Sequence, residues 1–262
     1  MNQRWTHGRS TYRPAGELIR TSEYDVQAIA ADTPAKAFVL AHHYSGTYPA
    51  ARFRYGLYRR GELAGVAVFS VPCSSKVLTN VFPVDPAAAV ELGRFVLQDQ
   101  VAGNGESWFL ARCFEQLRGS GIAGVVSFSD PLPRVTSSGE TVLPGHVGTI
   151  YQATNAVYLG RATARTIRIL PDGRSFSDRA EQKIRKHEQG WRYAAAQLEA
   201  FGADRLEEAA EPRAWLATWL GRLTRPLRHQ GNHKYAFAID RSLRRHLPAS
   251  LPYPKNIDRI PA

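Results

Sequence analysis

"ELGRFVLQDQVAGNGESWFLARCFEQLRGSGIAGVVSFSD", residues 91–130, decides how this chain is read. With Val90 ahead of it, the stretch opens on an apolar strand in which Arg94 stands between apolar neighbours. The turn-forming "GNGES" then enters a helix. There Leu110, Cys113, Phe114 and Leu117 recur at i, i+3, i+4 and i+7, the spacing of one helical face. "IAGVVSFSD" closes the unit as a second, buried strand. Strand, helix and strand in this order point to a sheet with helices packed on it.

Upstream, "DTPAKAFVLAHHYSG" predicts a helix capped by Thr33 with Pro34 at its first position; Ala35, Phe38, Val39 and His42 share one face. "FRYGLYRRGELAGVAVFSVP" predicts a β-hairpin turning at Arg60-Gly61. Downstream, a Pro/Ser/Gly-rich loop runs to Gly145, and "TIYQATNAVYLG" predicts a helix ending at Gly160. A strand "ARTIRIL", a long basic helix "DRAEQKIRKHEQGWRYAAAQLEAFG", a helix "PRAWLATWLGRL", a strand "KYAFAI" and a Pro-rich tail complete the chain. The expected fold class is α/β, a mixed sheet flanked by helices with a basic C-terminal helical extension. The expected divisions are an irregular arm over 1–22, a core over 23–175, and the extension over 176–262.

At 262 residues the chain is long enough to bury a core without disulfides or metal. Its cysteines, Cys73 and Cys113, form no CxxC pair or disulfide framework. No apolar run is long enough to span a membrane, and the first residues lack the apolar core of a signal peptide. A cytoplasmic location, with no membrane partner, is the expectation. The formal net charge is +11, and 20 Lys/Arg against 11 Asp/Glu lie from Arg161 onward. Such an excess favours a polyanionic partner, because neutralised phosphates release counterions. A nucleic acid is the expected partner. The candidate contacts are Lys183, Arg185, Lys186 and Arg192 on the basic helix, with Arg225, Arg228 and Lys234 around "RLTRPLRHQGNHKY". Glu181 and Glu188 dilute the helical charge. Trp191, Trp215 and Tyr235 are aromatic enough to stack on a base, although helical spacing suits the tryptophans to core packing.

Other residues carry chemistry. His43 and Tyr44 end the first helix; the imidazole suits proton transfer, and equally a helix C-terminus, where the macrodipole favours it. Alternation places Arg94 on the face of Leu92 and Val96, where a charge needs a partner, and Asp130 at the end of the next strand is the expected one. Tyr151, Asn155 and Tyr158 would share a helical face, with Tyr151 the catalytic candidate and Tyr158 the packing one. His146 lies in the loop ahead. Gly103, Asn104, Gly105 and Ser107 surround a helix N-terminus, where exposed N–H groups attract phosphate. The same Gly-Asn-Gly is also a good turn.

The element order resembles the N-acetyltransferase (GNAT) fold: a helix, an antiparallel meander, then a parallel strand whose helix faces the cofactor. "AHHYSG", "ELGRFVL", "NGESWFLARC", "SFSDP", "GHVGTIYQATN" and "GNHKY", taken in this order, resemble the bacteriophage Mom family. That family's GNAT-like enzymes convert adenine in DNA to an N6-carbamoylmethyl derivative, protecting phage DNA from restriction. The resemblance implies an active site of His43, Tyr44, Arg94, Asp130 and Tyr151, and an acetyl-CoA or related acyl-CoA donor on the 103–107 loop. It also implies double-stranded DNA as the partner and raises iron held by His43, Tyr44, Asp130 and Tyr151. The loop "PLPRVTSSGETVLP" after Asp130 is longer than the family's connection. Two other readings use the same residues: a GNAT-type N-acetyltransferase acting on a small amine or protein, and a non-catalytic DNA-binding protein. The first calls for a cleaner pyrophosphate loop than "QVAGNGES"; the second leaves the polar set without a use.

Overall fold

Thr6 and Arg9 pair across His7 (φ 49°) and Gly8 (φ 72°), the two left-handed residues that a type I′ turn requires. They join β1 (Asn2–Thr6) to β2 (Arg9–Arg13). Residues 1–22, expected to be irregular, therefore contain a hairpin; its strands are short and polar, so apolar alternation did not reveal it. The computed structural model describes residues 2–14, 16–207 and 211–255. The end of the Pro-rich tail, 256–262, lies outside the described residues.

β3 (Tyr24–Ala28) leads to α1 (Asp32–His42), which starts just ahead of Thr33 and buries Ala35, Phe38 and Val39. β4 (Ala51–Arg59) and β5 (Glu62–Ser70) form the expected hairpin, with Arg60 (φ 50°) and Gly61 (φ 88°) at its turn. A short α2 (Lys76–Thr79) precedes the predicted strand–helix–strand: β6 (Ala89–Leu97), α3 (Gly105–Gly119) and β7 (Gly124–Ser129). α3 buries Leu110, Cys113 and Leu117 from the predicted stripe.

The loop after Asp130 contains β8 (Arg134–Val135) and β9 (Thr141–Leu143). α4 (Thr149–Ala153) follows and is only five residues long. Asn155 takes φ 60°, which ends the helix, and Val157–Arg161 is a strand, β10. The helix expected to reach Gly160 is thus a turn and a half followed by sheet, and Tyr151, Asn155 and Tyr158 share no helical face. Next come β11 (Arg165–Ile169), β12 (Ser175–Phe176), α5 (Asp178–Arg185) and α6 (Trp191–Glu199). The long basic helix is two helices, because His187 (φ 50°) and Gly190 (φ 85°) break it. α7 (Pro212–Leu223), β13 (Arg225–His229), β14 (His233–Ala238) and α8 (Arg241–Arg244) complete the order.

The chain divides into two compact units. The first holds residues 1–131, 145–162 and 232–262. Its seven-stranded sheet has the order β10-β14-β7-β6-β5-β4-β3. Only β6 and β7 run parallel; the other neighbours are antiparallel. This helix, meander and parallel strand are the arrangement that the acetyltransferase resemblance implies. One apolar cluster joins Tyr55, Leu57, Ala67 and Phe69 of the meander to Phe109, Leu110 and Cys113 of α3. β14, apolar at Tyr235–Phe237, fills the place between β7 and β10. Residues expected to extend the core therefore complete its sheet, and the units do not follow the 175/176 boundary.

The second unit holds residues 132–144 and 163–231. A three-stranded sheet, β12-β11-β13, accompanies α5, α6 and α7. Leu170, Phe176, Ile184, Leu198, Leu216 and Leu220 form its core, with Trp191 and Trp215 packed against it. By composition the second unit holds 14 Lys/Arg against 10 Asp/Glu, and the first 20 against 13. The charge that rises along the sequence is thus not gathered in one unit. Cys73 is exposed, Cys113 is buried, and both are free thiols. Among the described residues no helix is long and apolar enough to cross a membrane.

Candidate active site

β6 and β7 pair only from Ala89↔Gly124 to Leu92↔Ser127. Beyond that point β6 continues against β5 and β7 against β14, so the parallel strands part. Ligand sites in α/β sheets form at such strand ends. At the same point the register of β5 against β6 slips: Phe69 faces Leu92, but Val68 faces Arg94, leaving Gly93 as an extra residue. A Cβ on Gly93 would lie 2.5 Å from the Ser70 hydroxyl and 3.1 Å from the Pro49 ring. The bulge resets the alternation. Arg94 keeps the face of Val96, as expected, but leaves that of Leu92, and Glu91, opposite Ser70, comes to share it.

Arg94 donates from Nε to the Thr47 carbonyl (2.9 Å) and from Nη2 to the Thr47 hydroxyl (2.5 Å). Nη1 donates to the Gly93 carbonyl (2.5 Å). Thr47, not the expected Asp130, holds the guanidinium. Burial lowers its pKa, and its neighbours Tyr44, Glu91 and Tyr151 oppose that. Sequence reading missed Glu91, although a lone carboxyl three residues before Arg94 in an apolar strand is a visible signal. Burial pushes the Glu91 carboxyl up from its ordinary range, and Arg94 opposes that.

His43 caps the C-terminus of α1, its N–H donating to the Val39 carbonyl at 2.9 Å. The Ser45 N–H donates to Nδ1 at 3.1 Å, so Nδ1 carries a lone pair and the neutral ring holds its proton on Nε2. Burial, then Arg94 and His146, keep its pKa well below the usual value. In this tautomer Nε2 carries the proton and is available as a donor. Its ring stacks on Tyr44 with centroids 4.3 Å apart. The Trp5 indole, from β1, covers Tyr44 at 4.4 Å and lies 6.4 Å from His43 and 6.3 Å from His146. No local pattern marks Trp5, since its partners are about forty residues away or more.

Tyr151 follows Gly148, which is left-handed at φ 71°. A Cβ there would sit 2.7 Å from the Tyr151 ring, 2.8 Å from the Tyr235 ring and 3.1 Å from the Ser129 hydroxyl. Tyr151 is buried, and that burial raises its pKa against the Ser127 hydrogen bond and Arg94. It presents a neutral phenol. Ser129, buried beside it, has a hydroxyl with no protein partner among the described residues. Such an orphan costs about 1–3 kcal/mol unless a ligand satisfies it. Asp130 is also buried, and its carbonyl accepts from the His146 N–H at 2.8 Å. That bond closes the base of the long 131–144 excursion, so the extra length leaves Asp130 tied to the segment carrying Tyr151. Tyr158 packs as expected, its hydroxyl 2.7 Å from His233 Nδ1. Asn155 is an exposed turn residue.

The structure thus gathers His43, Tyr44, Arg94 and Tyr151, adds Glu91, Ser127 and His146, and anchors Asp130 beside them. The donor set does not suit iron. Among the described residues no three His, Cys, Asp or Glu side chains are placed to share a cation, His43 Nδ1 is engaged, and Tyr151 is held protonated. Part of the 103–107 loop is already engaged within the chain. The Gly103 N–H donates to the Glu17 carboxylate (3.0 Å), the Asn104 side-chain oxygen accepts from the Ile19 N–H (2.6 Å), and Ser107 donates to the Asn104 carbonyl (2.9 Å).

Of the candidate DNA contacts, Arg185, Lys186 and Arg192 are exposed and Lys183 half-buried, all on or beside α5 and α6. Arg225 and Arg228 are exposed on β13. Arg185 pairs with Glu181 at 3.4 Å, the dilution expected. Lys234 is a half-buried residue of a central strand, with its pKa lowered by burial, and Tyr235 is fully buried, which excludes base stacking.

A family model described as the Mom protein family matches residues 23–255. No curated protein matches the chain. Three solved structures show distant similarity. An N-acetyltransferase of the GNAT family from Escherichia coli (YhbS), in complex with CoA, is 12% identical, with 56% of this chain and 72% of that one covered and a TM-score of 0.35. A tandem GNAT protein from the clavulanic acid biosynthesis pathway is 9% identical, with 83% and 99% covered and a TM-score of 0.42. N-acetylglutamate synthase from Neisseria gonorrhoeae, complexed with coenzyme A and N-acetyl-glutamate, is 11% identical, with 83% and 35% covered and a TM-score of 0.36. At such scores the likeness bears on none of the residue roles.

Proposed function

This chain belongs to the Mom protein family, and we propose that it alters the N6 amine of adenine in DNA by a carbamoylmethylation-type transfer. The observation that carries the reading is the polar set gathered where β6 and β7 part: a neutral His43 donor, a fixed Arg94, a protonated Tyr151 and a carboxyl at Glu91. N6 of adenine is a weak nucleophile whose lone pair is delocalised into the ring. It must lose a proton as its bond to carbon forms.

In the proposed reaction the target adenine is flipped out of the duplex, since N6 is inaccessible within the stack. Nε2–H of His43 and the Tyr44 ring orient the base. N6 attacks an electrophilic carbon of the donor; the N–C bond forms, and the donor's leaving group departs with the electron pair. Glu91 takes the N6 proton, its basicity raised by burial. Arg94 and the Tyr151 phenol donate to the oxygen on which charge develops, in a site shielded from water. The exposed cations of α5, α6 and β13 supply candidate contacts to DNA phosphates. The family and the net charge of +11 support the DNA substrate.

The test is to express the chain in a bacterium, hydrolyse the DNA to nucleosides and search by mass spectrometry for a new deoxyadenosine. Wild type yields one; Tyr151→Phe and Glu91→Gln each lower it about 100-fold or more. Folded, abundant protein with unmodified DNA would overturn the substrate. Variants as active as wild type would overturn the site.

A further inference from the structure

Two separate parts of the N-terminal segment sit on the two halves of the candidate site. Trp5 covers Tyr44 with an indole, its ring centroid 4.4 Å away, so a planar aromatic already occupies the face where a base would stack. Glu17 places a carboxylate 3.0 Å from the Gly103 N–H, at the start of the fifteen-residue α3. That is the position where the amides and the positive end of a helix attract an anion. The carboxylate is itself held by Arg13, at 3.1 Å from Nε and 2.5 Å from Nη2. An indole and an anion, spaced along one segment, copy the two features of a nucleotide.

We propose that the β1–β2 hairpin with Glu17 is an internal plug, a substrate mimic that must leave before a phosphate-bearing donor can reach the 103–107 loop. This rests on the proposed function only for the naming of the two halves as acceptor and donor sides. A phosphate at Gly103 would meet the Glu17 carboxylate, so the two are mutually exclusive.

The attachments of the segment are chiefly polar. Arg4, buried, donates to the carbonyls of Val101 (3.1 Å) and Ala102 (2.9 Å) and pairs with Glu106. Thr6 and Thr11 donate to Asp99 at 3.2 and 2.6 Å, and the Gly8 N–H donates to the His42 carbonyl at 2.9 Å. Trp5 is buried, while Tyr12 and Leu18 are exposed. Beyond Trp5 the segment buries little apolar surface, and the binding of the donor must offset the loss of the buried Arg4–Glu106 pair.

The test uses the full chain and its Glu17→Ala and Glu17→Gln variants, titrated calorimetrically with coenzyme A and with inorganic pyrophosphate. Glu17→Ala should bind coenzyme A about tenfold more tightly than wild type, since a charge-assisted contact no longer competes. Glu17→Gln should fall between them and keeps the inference open to test if the alanine variant is unstable. In wild type, saturating coenzyme A should speed tryptic cleavage after Arg4 and Arg9. Equal affinities in all three proteins, no binding to Glu17→Ala, or binding that leaves the cleavage rate unchanged would each overturn the plug. The nucleoside assay above reads the DNA reaction separately, so failure of one is distinguishable from failure of the other.

Discussion

Replacing Gly148 by Ala should damage stability and activity together, for two reasons that can be added. The residue is held at φ 71°, and an L-side chain in the left-handed region costs about 1–2 kcal/mol. The new Cβ would also lie 2.7 and 2.8 Å from the Tyr151 and Tyr235 rings, about 0.8 Å inside ordinary carbon–carbon contact. Relieving such overpacking costs about 1–3 kcal/mol. The total, about 2–5 kcal/mol, corresponds to a melting temperature lower by about 5–15 °C. Because one of the rings is Tyr151, its hydroxyl moves by a similar fraction of an ångström, and misplacements of about 1 Å cost about 100-fold in rate. Calorimetric melting and the nucleoside assay read the two effects. Gly121→Ala is the control: its φ is 80°, but a Cβ there meets nothing within 4 Å, so it should show the backbone cost alone. Equal melting shifts for both variants, with full DNA modification by Gly148→Ala, would refute the packing argument.

Two further predictions follow from charge. His233, bonded to Tyr158, is pushed down to about 4 by burial and then by Arg161. Its neutral form is favoured in the fold, so its contribution is complete above the unfolded value near 6.5, shrinks as pH falls, and is gone once pH passes about 4. About 2–3 kcal/mol should be lost over that window. His43, lowered for the same reason, adds to the slope. Urea unfolding at pH 7, 5.5 and 4.5 should therefore show a shallower pH dependence in His233→Gln, and an unchanged slope would contradict it. For DNA, the double variant Lys186→Ala/Arg192→Ala should flatten the dependence of log Kd on log salt by about 1.8, close to 0.9 per lost phosphate contact. Fluorescence anisotropy between 50 and 200 mM salt measures this, and an unaltered slope would remove both residues from the interface.

Much of the first unit was legible from residues close together in sequence. The stripe Leu110, Cys113, Phe114 and Leu117, the turn at Arg60-Gly61 and the apolar run Gly124–Ser129 each encode an element through neighbours a few positions apart. Arg94 stood out as a charge within an apolar strand, whereas His43, Tyr44 and Tyr151 were marked by the family resemblance. Only the tertiary structure decided what depends on remote pairing. It moved Arg94 onto the face of Glu91 through a bulge that appears only when β5 is laid against β6. It gave Arg94 the hydroxyl and carbonyl of Thr47, ended α4 at a left-handed Asn155, and put β14 inside the sheet. It also brought Trp5 and Glu17 onto Tyr44 and Gly103, contacts that span about forty and 86 residues. The physical reason is one of range. Periodicity and turn chemistry act over a few residues and are written locally, whereas register, insertion order and long-range polar contacts depend on which surfaces meet once the chain has collapsed.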